Sequence, residues 1–258
     1  MQRTVCAATA TALLAVLSLS ASAADQVLIF NKNGKGFVHD NIAAATKALQ
    51  EITAAAGIES VVSADPAVFT DDTLKRFKAV IFNNTNTETV DTPAQKEAFQ
   101  RYIRAGGGFV GIHSATGSER QWPWFWDLIG GSFLWHTPRQ DFTIKILDRA
   151  HPSTAFFTSD TWAWKDDEFY FMKNIPAGRH ILAAGDLTSL KSKGNKPEVV
   201  DAGPNPYPLT WCRGFEGGRT WYTALGHKPE HYSDATFRQH LLGGIQWAMG
   251  QGEVPKTP

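Results

Sequence analysis

Five polar residues stand where loops follow apolar runs: His39 in GFVHDN, His113 in GIHSA, His136 in GGSFLWHTP, Glu168 in DDEFY and His227 in ALGHKPE. Imidazoles and a carboxylate held together can move protons near neutral pH or bind a divalent cation. Three histidines with one carboxylate suit zinc, manganese or cobalt. His113, Glu168 and His39 are the candidate acid–base residues. His136 and His227 are the first candidate metal ligands, with His39, His113 and Glu168 as further ligands. Either reading requires the fold to bring the five together. The other histidines carry less: His151 precedes Pro152 as a turn residue would, and His180, His231 and His240 read as surface or helix positions.

The stretch GGGFVGIHSATGSE (106–119) reads as a buried strand ending in a sharp turn, with His113 at the place where a nucleophile elbow displays its reactive residue. A helix starting there would disfavour the imidazolium form through its positive end. A neutral imidazole can accept a proton, polarise a carbonyl or bind a metal. Ser114 lies one place past the exposed position, where its hydroxyl can cap the next helix or contact a substrate. Cys212 in TWCRGF reads as a small strand residue. A hydrolase using Ser114 or Cys212 would need a base within hydrogen-bond reach. No nucleotide cofactor is expected, because NGKG (33–36) lacks the phosphate-loop pattern and the glycine triplet precedes a strand instead of following one.

The elements that must position these residues alternate. QVLIFNK, IESVVS, KAVIFNN and GFVGI read as strands, the apolar ones as parallel strands covered on both faces. Val38, Ile42, Leu49 and Ile52 share one helical face, and Thr92-Pro93 opens a second helix with a cap and an N1 proline. This is the order of a doubly wound sheet, whose ligands sit at the carboxyl ends of its strands. The second half is less regular: RQDFTIKIL alternates like an antiparallel strand, and EFYFM, HILAAGD, YPLTW and GRTWYTALG read as further strands. Phe237, Leu241, Ile245 and Ala248 form one face of a last helix. One domain, 24–250, accounts for the pattern, with a disordered tail at 251–258.

The aromatic load is high, with 9 Trp and 16 Phe in 258 residues. It is densest in QWPWFWDLIGGSFLW (121–135), where Trp126, Ile129 and Phe133 can form a helical or turn core. Flat aromatic faces stack against sugar rings, so Trp122, Trp124 and Trp135 are candidate substrate-binding residues alongside Ser114. A formal net charge of zero offers no basic field for nucleic acid. Residues 1–23 have the anatomy of a cleaved signal peptide: Arg3, an apolar run from Ala7 to Leu19, and Ala21-Ser22-Ala23. The mature chain is then expected to be exported, periplasmic if the source is Gram-negative, and free of a membrane anchor. Only Cys212 remains after cleavage, so no intramolecular disulfide forms.

In order along the chain, GGGFVGIHSA, WDLIGGSFLWHTP, HPSTAFF, DEFYFM and PLTWCRGFEGGRTWYTALGHKPEHY…FRQHLLGGIQWAMG resemble the ThuA-like, trehalose-utilisation family. The resemblance implies a flavodoxin-like, class I glutamine amidotransferase-like three-layer α/β sandwich, mainly parallel with added antiparallel strands in the second half. The amidotransferase elbow carries cysteine; His113 stands there, which argues against glutamine hydrolysis. The family's association with carbohydrate catabolism, including routes through 3-keto-glycosides, implies a small carbohydrate substrate. A ketone at C3 acidifies the C2 hydrogen, which a base such as His113 or Glu168 can remove, while a metal or histidine stabilises the enolate and the C1 substituent leaves. A non-catalytic carbohydrate-binding module of the same fold is the alternative. The sugar, its linkage, the metal and the oligomeric state stay open at this point.

Overall fold

A computed structural model describes residues 24–191 and 204–255. The expected signal peptide and residues 256–258 of the expected tail lie outside the described residues. The first half alternates β1 (Gln26–Phe30), α1 (Ile42–Ala55), β2 (Glu59–Ser63), α2 (Asp71–Leu74), β3 (Ala79–Asn83), α3 (Pro93–Arg104) and β4 (Gly108–Ile112). Val38, placed by its spacing on the first helix, precedes α1 and is exposed; the helix starts only after Asn41, whose side chain is taken up by other contacts. The α3 start holds both reciprocal bonds of a capping box: Thr92 Oγ1 accepts from the Gln95 N–H, and Gln95 Oε1 accepts from the Thr92 N–H at 3.0 Å.

The second half adds α4 (Pro123–Ile129), β5 (Ser132–His136), β6 (Gln140–Ile146), β7 (Thr161–Asp167), β8 (Tyr170–Lys173), β9 (His180–Gly185), β10 (Tyr207–Phe215), β11 (Gly218–Thr223) and α5 (Ala235–Ala248). Nine strands form one sheet in the order β2-β1-β3-β4-β11-β10-β9-β6-β7, and β5 pairs with β8 apart from it. The neighbours from β2 to β11 pair in parallel, and those from β11 to β7 pair antiparallel. This is the expected three-layer fold. Phe99 of α3 and Phe125 of α4 pack on Phe82 and Phe109 on one face. On the other face α5 covers Trp221, whose ring lies 5.0 Å from that of His240. Phe133 belongs to β5, not to the helical core expected with Trp126 and Ile129.

Parallel pairing aligns the carboxyl ends of β1, β3, β4 and β11, so the loops after all four open on one edge. The sequence order reverses across β1 and β3, the switch point at which such sheets leave a crevice. Gly111 has a steric role there: a Cβ would sit 2.8 Å from Ile129 Cδ1 of α4. No described helix is long and apolar enough to cross a membrane. Residues 251–255 follow α5, where Arg219 donates to the Gly252 carbonyl at 2.7 Å and Trp247 Nε1 to the Glu253 carbonyl at 3.0 Å.

His151 begins the expected turn and His240 lies on the last helix, as the sequence allowed, but both are buried, as is His231. His240 Nδ1 donates to the Ser153 carbonyl at 2.8 Å, and His151 Nδ1 accepts from the Ser153 N–H at 3.1 Å. Burial lowers His240 to about 4 and His151 to about 3, from 6.5. The unfolded chain therefore binds protons that the folded one refuses. Their stabilising contribution is full above pH 6.5 and is lost as the pH falls through about 4 and then about 3. The urea midpoint should fall between pH 6.5 and 4, and His240→Gln should flatten that slope; an unchanged slope would refute the assignment.

Candidate active site and metal centre

His113 has φ +49°, a left-handed backbone conformation that costs a side-chain-bearing residue about 1–2 kcal/mol. Two bonds hold it there. Its ring Nδ1–H donates to the Ala224 carbonyl at 2.8 Å, and its own carbonyl accepts from the Tyr222 hydroxyl at 2.7 Å. The first bond leaves Nε2 as an acceptor, facing Tyr170 Oη at 3.0 Å and His227 Nδ1 at 3.3 Å. The elbow continues as a short 3-10 segment, His113–Gly117, and α4 begins only at Pro123. The expected helix end is therefore not what keeps His113 neutral. Burial holds its pKa well below 6.5, with the nearby His39 adding to the effect.

Around this ring the fold gathers His39 from the loop after β1, His227 from the loop after β11, and Glu168 from the β7–β8 turn. One donor atom from each of His39, His113, Glu168 and His227 lies within 4.8 Å of the others. Glu168 Oε2 is 3.3 Å from His227 Nδ1 and 3.9 Å from His113 Nε2, while Oε1 is 3.4 Å from His136 Nδ1. His39 is 5 % exposed, and its Nδ1 has no hydrogen-bond partner among the described residues. An orphaned imidazole nitrogen, a second with its lone pair turned inward, and a carboxylate edge make a donor set that can hold a metal ion. The His113–Ala224 bond is the outer contact that such a ligand needs for its orientation. Of the two first ligand candidates by sequence, His227 belongs to this set and His136 falls outside it. Its ring stands on the rim, 40 % exposed, bonded to the Thr137 carbonyl.

Burial, with the Asp167 charge adding to it, raises Glu168 to about 7. Burial also lowers His39 to about 4 and pushes His227 down. The cluster thus holds neutral imidazoles and a carboxyl that titrates near neutrality. His39, Glu168, Tyr170, His136 and Ser114 face a cavity of about 390 Å³, and His113 and His227 stand behind them. Among the described residues the buried Ser114 hydroxyl has no base within hydrogen-bond reach, and burial lifts the Cys212 thiol to about 12, so neither is activated in this arrangement.

Trp122, Trp124 and Trp135, expected at the substrate, do not line this cavity. On α4, residues two apart point about 200° from each other. Trp124 stacks on Trp122 at 5.1 Å and donates to Glu216, whereas Trp126 faces the opposite way. A bulge in β5 separates Phe133, which lines the cavity, from Trp135, which stacks on Phe171. The aromatic walls are Phe37, Phe133 and Tyr170.

Two positioning residues went unread. Asp167 is fully buried and accepts from the N–H of Glu168 at 2.7 Å, Gly226 at 2.9 Å and Trp164 Nε1 at 2.7 Å, tying the Glu168 turn to the His227 loop. Burial pushes its carboxyl up, and these donors and His231 pull it back. Its only signal was the DDE run. Asn41 Nδ2 donates to the Gly226 and His227 carbonyls at 2.7 and 2.9 Å. His231, four residues after His227, turns away and donates to the Lys165 carbonyl.

Residues 26–248 match the ThuA family, described as trehalose utilisation. No curated protein matches the chain. A putative ThuA-like protein from Bacteroides uniformis is 21 % identical with a TM-score of 0.70, the match covering 89 % of this chain and 93 % of that one. Its counterpart from Parabacteroides merdae is 18 % identical at 0.66, covering 91 % and 94 %. A β-galactosidase from Bacillus circulans sp. alkalophilus shares the fold over 32 % of its own length, covering 91 % of this chain at 14 % identity and a TM-score of 0.55.

Titration with zinc, manganese or cobalt should load one ion per chain, and His39→Ala and His227→Ala should abolish stoichiometric binding. The ion must displace the Glu168 proton, so affinity should rise as the pH climbs through about 7 and level off above it. Asp167→Asn should weaken binding about 10–100-fold in chelator competition.

Proposed function

The chain belongs to the ThuA family of trehalose utilisation, and we propose on that premise that it is an enzyme acting on glycosides oxidised at C3. It removes the C2 proton and releases the C1 substituent, and the same groups can run hydration of the unsaturated product. The observation that carries this reading is the His39–His113–Glu168–His227 cluster, which reaches a cavity through His39 and Glu168, with a carboxyl titrating near 7.

Glu168, ionised above pH 7, is the base for the C2 hydrogen; a positioned carboxylate of this kind contributes about 10²–10⁴-fold. Tyr170 is buried and its phenol is held well above the usual range, so it keeps its proton, which it gives to His113 Nε2 and could turn to a ketone oxygen were that nitrogen engaged by a metal ion. Ser114 offers an unused hydroxyl to a sugar hydroxyl. His39, His113, His227 and the Oε2 edge of Glu168 would hold a zinc, manganese or cobalt ion. Such an ion, when bound, supplies Lewis-acid stabilisation of enolate charge. Phe37 and Phe133 supply apolar wall beside the reacting groups. A sugar-binding module is the second reading, favoured by this fold forming about a third of a β-galactosidase chain. We further propose that the protein acts after export, on the pattern of residues 1–23.

Incubating the protein with 3-keto-trehalose in D₂O, with each metal and without, should place deuterium at C2 and release the C1 substituent. Glu168→Gln should lower kcat about 10²–10⁴-fold. Binding without exchange or turnover in any condition would leave the module reading standing. N-terminal sequencing of the protein from its host should begin at Ala24; an intact Met1 would refute export by cleavage.

A further inference from the structure

A second cavity, of about 360 Å³, adjoins the first, and Gly117, Arg120 and Phe133 line both. Its charge is one-sided: Arg120 and Lys173 line it, and no Asp or Glu does. Neither cation is ion-paired with a described residue. Arg120 is nevertheless built into place. Its Nε donates to the Gly117 carbonyl and its Nη2 to Asn86 Oδ1, each at 3.1 Å. Both acceptors are neutral, so they orient the guanidinium without cancelling its charge, and Nη1 is left unbonded among the described residues. Gly117 makes the arrangement possible: a Cβ there would lie 2.7 Å from Asn86 Oδ1. Trp126, its Nε1 tied to the Glu119 carbonyl at 3.0 Å, and Phe133 supply apolar wall.

The two cavities are therefore complementary. One holds the reacting cluster with Glu168, and the other holds two uncompensated cations across a shared guanidinium. We infer that the second cavity is an oxyanion subsite, and that the substrate is a glycoside whose second unit carries a carboxylate or phosphate. A guanidinium fork recognises either group by paired charge-assisted bonds. The placement of the reacting sugar in the first cavity rests on the function proposed above; the anion preference rests on Arg120 and Lys173 alone.

Calorimetric titration with D-glucuronate, glucose 6-phosphate and D-glucose at matched ionic strength tests this directly. At least one anion should bind about tenfold or more tightly than glucose, the preferred one telling carboxylate from phosphate, and the advantage should shrink with added salt. Arg120→Gln and Lys173→Gln should each reduce that advantage and the double variant should abolish it, while Lys173→Gln, at a residue outside the first cavity, should leave glucose binding within about twofold. Both side chains are exposed, so the variants are expected to fold; far-UV circular dichroism checks this. Equal binding of all three sugars, or a preference that survives the double substitution, would overturn the subsite. The two readings fail separately: keto-glycoside turnover without anion preference removes only the subsite, and anion preference without C2 exchange removes only the reaction.

Discussion

Ile112 of β4 lies opposite Thr223 of β11 in a parallel register. The next residue on each strand is then His113 on one side and Ala224 on the other, and the imidazole reaches that carbonyl at 2.8 Å. A slip of one residue would turn His113 to the other face of the sheet and remove its acceptor. The left-handed backbone at His113 would then have nothing to hold it. The same register delivers Gly226 and His227 over the elbow, because they follow Ala224 by two and three residues. The site thus depends on a pairing between segments more than a hundred residues apart in sequence.

Within that frame, Asp167 fastens what the sheet cannot. Glu168 follows the strand at the far edge of the antiparallel half, and four strands lie between that strand and β4. A fully buried carboxylate accepting from three N–H groups joins the two halves directly over the cluster. Its negative charge helps hold the Glu168 proton near neutrality, while burial strips protons from the surrounding imidazoles. Water exclusion therefore sets opposite shifts on acid and base within a few ångströms, while the Asp167 charge adds to the rise at Glu168 and offsets part of the fall at His227.

Much of the edge was legible from pattern. β1, β3, β4 and α3 follow from continuous apolar runs and from Thr92-Pro93, and all three strands are fully or almost fully buried as that pattern requires. Five polar residues at strand ends were also visible, and four of them meet. The misreadings have local causes. Trp122 and Trp124, expected at the substrate, stack on each other away from the cavity because Pro123 starts a helix there, and helical period turns Trp126 the other way. Phe133 and Trp135 part company through a bulge, which leaves no mark in residue types. TWAWKDD, which is β7, was not read as a strand, and the aspartate that closes it became the main positioning residue.

By itself the sequence determined the alternation of strands and helices in the first half, and with it the edge on which His39 and His113 would open, because buried parallel strands and capped helices write local periodicities into residue types; that His227 opens on the same edge follows from the parallel pairing of β11 with β4. It also determined that no thiol stands at the elbow. Only the tertiary structure decided that Glu168 joins three of the histidines while His136 stays on the rim, that Asp167 and Asn41 hold the loops, and that Arg120 and Lys173 face one cavity. These are contacts between segments far apart in sequence. They depend on register, bulges and burial, which are properties of packed neighbours and not of any short stretch of chain.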